Sequence, residues 1–182
     1  MANAQGAFGL RYVSGPRVVI PCYIASGYAT ALYKGDPVVL SNEADDRDAT
    51  GKYVAVEKAT LTDGGVWFGV IEGFDELPTD LSKQYNPAST ERMAYVVLAT
   101  PDTVFQIRGD GQGTPTKLFV GLNAVGIQGT ASTVWGNSGV MLDEGGTTAP
   151  SADQSNPMLI LNFKNVEDNE LGDYAIYNVL IN

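Results

Sequence analysis

Histidine is absent from the 182 residues. That removes the side chain that most often serves as general base, as transition-metal ligand and as partner of a Ser or Cys nucleophile. Cysteine occurs once, as Cys22 in the apolar run "RVVIPCYI", so no internal disulfide can form. With no histidine and no lysine cluster to draw out its proton, the thiol is expected to be buried and inert. Basic residues are few: 11 Lys and Arg stand against 21 Asp and Glu, a net charge of −10 that would repel a phosphate backbone or an anionic bilayer. Nucleic acid and membrane are therefore not expected partners. No apolar run approaches the ~20 residues of a membrane span. The opening "MANAQGAFGLRYV" also lacks the charged and apolar regions of a secretory signal. The expectation is a protein made and used in a reducing cytosol, or exported by a route other than secretion. Sustained helical periodicity is missing too, with single turns near "TDLSKQY" and within "TKLFVGLNAV" as the best candidates.

What is present is a succession of short apolar runs rich in Val, Ile, Tyr and Phe. These include "RVVIPCYI", "ATALY", "PVVL", "KYVAVEKA", "VWFGVIEGF", "MAYVVLA", "TVFQIR", "LFVGL", "GVMLD", "MLILNF" and "YAIYNVLI", each bounded by Gly, Pro, Asn or Asp. They predict an all-β chain with little helix. The predicted form is a single barrel- or tulip-like domain over residues 17–182, with a sandwich as second choice. Residues 1–16 read as an extended arm with Phe8, Leu10 and Tyr12 as anchors. The segment "GGTTAPSADQSNP", residues 145–157, reads as a long polar surface loop and a candidate hinge.

The stretch "SGYATALYKGDPVVL" invites comparison with a phosphate-cradling loop. It has neither a lysine after a second glycine nor a helix start to aim amides at an anion. It reads as scaffold: Gly27 and Gly35 shape turns, Gly35 with positive φ, Pro37 opens a strand, and Ala29–Tyr33 pairs with Pro37–Leu40. The acidic run "NEADDRDATG" offers Glu43, Asp45, Asp46 and Asp48 as hard oxygen ligands for Ca²⁺. It lacks EF-hand spacing and reads first as a solvated hairpin loop. In "GGVWFGVIEGF" the alternation puts Val66, Phe68 and Val70 on one strand face and Trp67, Gly69 and Ile71 on the other, with Gly69 allowing a bulge or a close backbone approach. The carboxylate pairs Asp75–Glu76 and Asp143–Glu144 are adjacent in sequence, so they point to opposite faces of a strand instead of converging as acid and base. Tyr85 and Trp135 read as core or as subunit-interface anchors.

Taken together, "MANAQGAFGLRYV", "IASGYATALYKGDPVVL", "WFGVIEGF", "ATPDTVFQIRGDG" and "DNELGDYAIYNVLIN" resemble the head decoration, or cement, proteins of tailed bacteriophages. The resemblance runs along most of the chain and is weakest around 42–58 and 145–156. It implies a structural virion protein on the head exterior, made in the host cytoplasm. Such a protein binds the major capsid protein, commonly as a homotrimer, and stabilises the shell without catalysis and without a cofactor or metal. On this reading Phe8, Leu10, Tyr12, Trp135, Tyr174 and Tyr177 are the candidate capsid or subunit contacts. Two other readings are set beside it: an all-β carbohydrate-binding or host-adhesion module with Trp67 or Trp135 as stacking platform, and a hydrolase working with carboxylates alone.

Overall fold

Short β-branched runs between turn residues fold as strands in the computed structural model, which describes residues 6–42, 48–62, 64, 66–164 and 169–182. After β1 (Arg11–Ser14), five of them close a barrel: β2 (Val19–Ile24), β3 (Pro37–Leu40), β4 (Val54–Lys58), β5 (Gly69–Phe74) and β6 (Arg92–Leu98), in the order β2-β4-β3-β5-β6. Closure leaves the barrel without a free edge. Its pairs are antiparallel except β2 with β4, which run parallel from Cys22↔Val54. Pro21 lies inside β2 just before that parallel ladder begins, where its missing N–H breaks no bond to β4.

The second half of the chain builds on the outside of the barrel. β7 (Val104–Arg108), β8 (Asn123–Ala124), β11 (Met158–Phe163) and β12 (Ile176–Ile181) join β1 in a sheet of order β1-β7-β12-β11-β8. β9 (Gly126–Gln128) and β10 (Val140–Leu142) form a separate ribbon that meets the end of β7 through Gly109↔Leu142. The apolar C-terminal run pairs within the subunit, with β12 between β7 and β11.

Around Val70–Ile71 in β5 and Val96–Val97 in β6 both faces are apolar because both are covered, while Glu72 and Tyr95 further along are exposed. Ile71, Ala94 and Val96 point into the barrel, where they meet Cys22, Ile24 and Val38, with Leu32 buried among them. Val70 and Val97 point outward into a second core with Trp67, Phe105, Met158 and Tyr177. Each fully buried aliphatic or aromatic side chain adds roughly 1.5–3 kcal/mol relative to exposure. Gly69 permits the two strands to lie this close: a Cβ there would sit 2.3 Å from the Val97 carbonyl oxygen. The expected bulge falls further along the strand, between Ile71 and Gly73. The expected alternation over 66–71 is corrected: Trp67 joins Val70 in the outer core, Phe68 packs with Ile71 on the barrel interior, and Val66 is exposed, because the strand begins only at Gly69.

Several expectations are corrected. Ala29–Tyr33 is no strand paired with Pro37–Leu40: this segment makes an isolated bridge, Leu32↔Asn86, while β3 pairs with β4 and β5. "LFVGL" is not a strand. Thr116 caps a short 3-10 turn, Lys117–Phe119, by accepting the Leu118 N–H. "TDLSKQY" forms turns without a helix. The arm expected over 1–16 is, from residue 6, docked on the body: Phe8 and Leu10 are buried and β1 pairs with β7. Residues 145–157 are, as expected, a largely exposed loop without a strand, broken by one 3-10 turn, Gly146–Thr148, and tied to the body. Ser151 and Asn123 exchange main-chain hydrogen bonds, and Asn182 Nδ2 donates to the Asn156 carbonyl at 2.7 Å.

Candidate functional site

The turn from Tyr33 to Pro37 is the junction from which the candidate site is built. Gly35 adopts φ +89°, and its N–H donates to the Ile71 carbonyl at 2.7 Å while its own carbonyl accepts the Leu10 N–H at 2.9 Å. Lys34 N–H donates to the Gly136 carbonyl, and Ser138 N–H donates to the Lys34 carbonyl, each at 2.8 Å. Asp36 is fully buried beneath this turn. One of its oxygens accepts the Tyr33 N–H at 2.8 Å; the other accepts Ser138 Oγ at 2.6 Å and faces Lys58 Nζ at 3.1 Å. The barrel, the N-terminal segment and the 136–138 segment are thereby fastened to one another through a single short turn.

Beside the junction lies a cleft of about 480 Å³ between β1 and β5. Its floor is apolar, formed by Leu10, Val70, Val97 and Phe105. The rim carries Arg11, Arg17 and Lys34, with Glu72 opposite. Arg17 is ion-paired to Glu72, which raises the guanidinium pKa through the hydrogen bond and the charge. Arg11 lies over the Phe8 ring at 4.4 Å, and Arg108 lies over the same ring at 5.3 Å. Burial lowers the Arg108 pKa, and the charge of Arg11 lowers it further.

Across Lys34 from the cleft, two loops carry exposed apolar side chains. Leu81 (69% exposed) stands on one; Val134 (73%) and Trp135 (70%) stand on the turn of the other. The Trp135 turn is fixed by its own backbone: Ser132 Oγ accepts the Trp135 N–H, Ser132 N–H donates to the Asn137 carbonyl, and Gly136 packs against Gln84. The Leu81 loop is pinned from below by Arg92. Its buried guanidinium donates to the carbonyls of Asp75, Tyr85 and Lys83 at 2.6, 2.8 and 3.2 Å, and lies over the Phe74 ring. Tyr85 stacks on Tyr33, with ring centroids 4.9 Å apart.

No family model, curated protein or solved structure matches this chain.

The six candidate contact residues separate in space. Trp135 is the exposed one, and Tyr12 is half-buried with its hydroxyl donating to the Gly15 carbonyl at 2.7 Å. Phe8 is buried beneath the two arginines, and Leu10 lies in the second core, where neither can anchor to a neighbour in this arrangement. Tyr174 is half-buried with φ +60° and its ring against Gly111. Tyr177 is fully buried and donates its hydroxyl to Glu144. Trp67 is no stacking platform: it is 3% exposed and its Nε1 donates to the Thr60 carbonyl at 3.0 Å.

The acids are engaged structurally. Asp143 and Glu144 diverge as expected, with Asp143 accepting Gly145 N–H and Thr148 Oγ1, and Glu144 accepting Gly111 N–H and the Tyr177 hydroxyl. Asp75 and Glu76 are exposed. Asp48 caps its own turn by accepting from Thr50, Lys52 and Tyr53, and these bonds, Thr50 first, hold its carboxyl below the usual range. Glu43, Asp45 and Asp46, the rest of the candidate Ca²⁺ loop, lie outside the described residues. Among the described residues no three of His, Cys, Asp and Glu gather as a metal site. Cys22 is buried, and burial pushes its thiol up to about 12, as its apolar setting predicted.

Sequence reasoning missed Asp36, Arg92 and Glu144 as buried polar residues. Desolvation raises the Glu144 pKa, outweighing the hydrogen bonds that lower it. A folded-state pKa above the unfolded one means that the stability this group contributes is present at low pH and lost as pH rises through the folded value. Glu144→Gln, which mimics the neutral acid, should therefore match the wild type in thermal melts near about pH 4 and exceed it near about pH 8. A constant difference across that range would refute the assignment.

Proposed function

We propose that this chain is a structural virion protein that binds the outside of an assembled bacteriophage head through the major capsid protein, as a homotrimer, and stabilises the shell without catalysing a reaction. The observation that carries this reading is the pair of main-chain-fixed loops presenting Leu81, Val134 and Trp135 from a rigid β body. Loops whose backbone is fixed before contact lose little backbone entropy on binding, and tryptophan is among the residues most enriched at interface hot spots. An acidic body, net −10, keeps the unassembled protein soluble and away from nucleic acid. The resemblance along the chain to cement proteins points the same way.

The test is co-sedimentation of purified protein with heads of the phage that encodes it, together with the melting temperature of those heads. A ligand that prefers the assembled state should raise that temperature with its concentration. Trp135→Ala should weaken head binding by about 2 kcal/mol or more, while its own stability stays within the spread of surface substitutions, about 0.5 kcal/mol. Folded wild-type protein that leaves heads unbound would end this reading.

The exposed Trp135 ring also suits stacking against a sugar face, which is the specific observation favouring a carbohydrate-binding or adhesion module. A glycan array separates the two. Glycan binding lost in Trp135→Ala, with no affinity for heads, selects the second reading.

A further inference from the structure

We propose that the cleft between β1 and β5 is a docking site for an extended segment of a partner protein that carries a carboxylate next to an apolar side chain. This rests on the reading of the chain as a protein-binding module and deepens it by naming where a partner segment sits and what chemistry it has. The cleft's 480 Å³ falls within the range of sites that bury a ligand. Its composition selects the occupant. Leu10, Val70, Val97 and Phe105 close the bottom of the cleft with almost no surface of their own exposed, so the apolar surface that an occupant's apolar side chain would meet is the half-buried Tyr12 ring and the alkyl stems of Arg11, Arg17 and Lys34.

The rim decides the charge. Arg11, Arg17 and Lys34 face one carboxylate, Glu72, so positive charge is left over on a chain whose net charge is −10. Glu72 answers Arg17 alone; Lys34 and Arg11 have no ion-pair partner among the described residues, and Arg11 is turned onto the Phe8 ring. Such a local excess of positive charge on an acidic body is complementary to an isolated carboxylate. A polyanion such as nucleic acid would bring a long run of charge against the surrounding acids, so the favoured occupant is a peptide with few charges. β1 supplies the conformation. It is the outermost strand of its sheet, paired with β7 on one side, and it forms one wall of the cleft, which suits an extended segment lying alongside it.

The probe is a fluorescein-labelled short peptide with a single Asp between two Leu residues (Asp-Leu), titrated with the full chain and read by anisotropy, with counterparts that replace the Asp by Lys (Lys-Leu) or both Leu by Gly (Asp-Gly) as controls. The Asp-Leu peptide should bind and the controls should not. Arg11→Glu combined with Lys34→Glu should weaken binding about tenfold or more, and added salt should weaken binding to the wild type. Circular dichroism and a thermal melt establish that the double variant is folded. Should it not fold, Lys34→Gln alone, a change at a half-buried position, should reduce affinity in the same direction by a smaller factor. No binding of the Asp-Leu peptide to wild type, equal binding to the charge-altered variant, or equal binding of the Lys-Leu peptide would overturn the site. The peptide assay decides the cleft, and head sedimentation decides the capsid reading. Peptide binding without head binding would leave the cleft standing and remove the capsid.

Discussion

Gly35→Val should lower stability by at least about 3 kcal/mol, which for a chain of this size is a fall in Tm of about 6–12 °C. Two costs combine. The backbone at Gly35 has φ +89°, where a β-branched residue is strained. A Cβ there would also lie 2.7 Å from the Phe8 carbonyl oxygen and 3.0 Å from Gly9 Cα, and neither neighbour is a flexible side-chain end that could swing aside. The turn cannot shift without breaking the Gly35–Ile71, Leu10–Gly35 and Lys34–Gly136 hydrogen bonds together. If the Gly35→Val variant melted within about 2 °C of the wild type, the turn would have to relax freely and the junction would be dispensable. Lys34→Ala is the control: it keeps the backbone bonds and should leave folding nearly intact.

Asp36→Ala should cost about 3–5 kcal/mol, the range for removing one partner of a buried ion pair. It strips Lys58 Nζ, whose side chain is only 17% exposed, of its carboxylate. It also removes the acceptor of the Ser138 hydroxyl and the Tyr33 N–H. Denaturant unfolding measures the loss. Asp36→Asn, which keeps an oxygen for those donors, should lose less. A double-mutant cycle with Lys58→Met should return a coupling of about 1 kcal/mol or more. An Asp36→Ala loss below about 1 kcal/mol, or additivity in the cycle, would mean that the ion pair contributes little to the fold.

What the sequence makes legible is what local physics decides. Pro37 opening a strand, Gly35 at positive φ, Gly69 at a close backbone approach and Cys22 as a buried thiol each follow from the residue and its immediate neighbours. The all-β barrel follows from the spacing of β-branched runs. What escapes is set by partners distant in the chain. "KGDP" is legible as a tight scaffold turn, but the burial of Asp36 is not, because it depends on Ser138, 102 positions away. "ATALY" has strand composition but finds no ladder, since Leu32 is drawn into the barrel interior. Arg92 draws no reading from its sequence neighbours, yet it holds the 75–85 loop through three carbonyls that only the tertiary fold brings together. The candidate contacts divide on the same ground: aromatic and apolar residues suit a core as well as an interface, and burial separates Tyr177 and Leu10 from Trp135. The cleft escapes entirely, because Arg11, Lys34 and Glu72 belong to three different segments.

The two-sided burial of β5 and β6 also governs how the molecule comes apart. Ile71 and Val96 belong to the barrel interior while their neighbours Val70 and Val97 belong to the outer core, so neither core can be exposed without disturbing the same pair of backbones. The barrel and the sheet outside it should therefore unfold as one cooperative unit, not as two foldons joined by a linker. A cut that released the second half of the chain would leave Trp67, Val70 and Val97 as a bare apolar wall on the barrel. Longer surface loops would leave both cores intact, whereas dividing the protein between its halves would open the outer core.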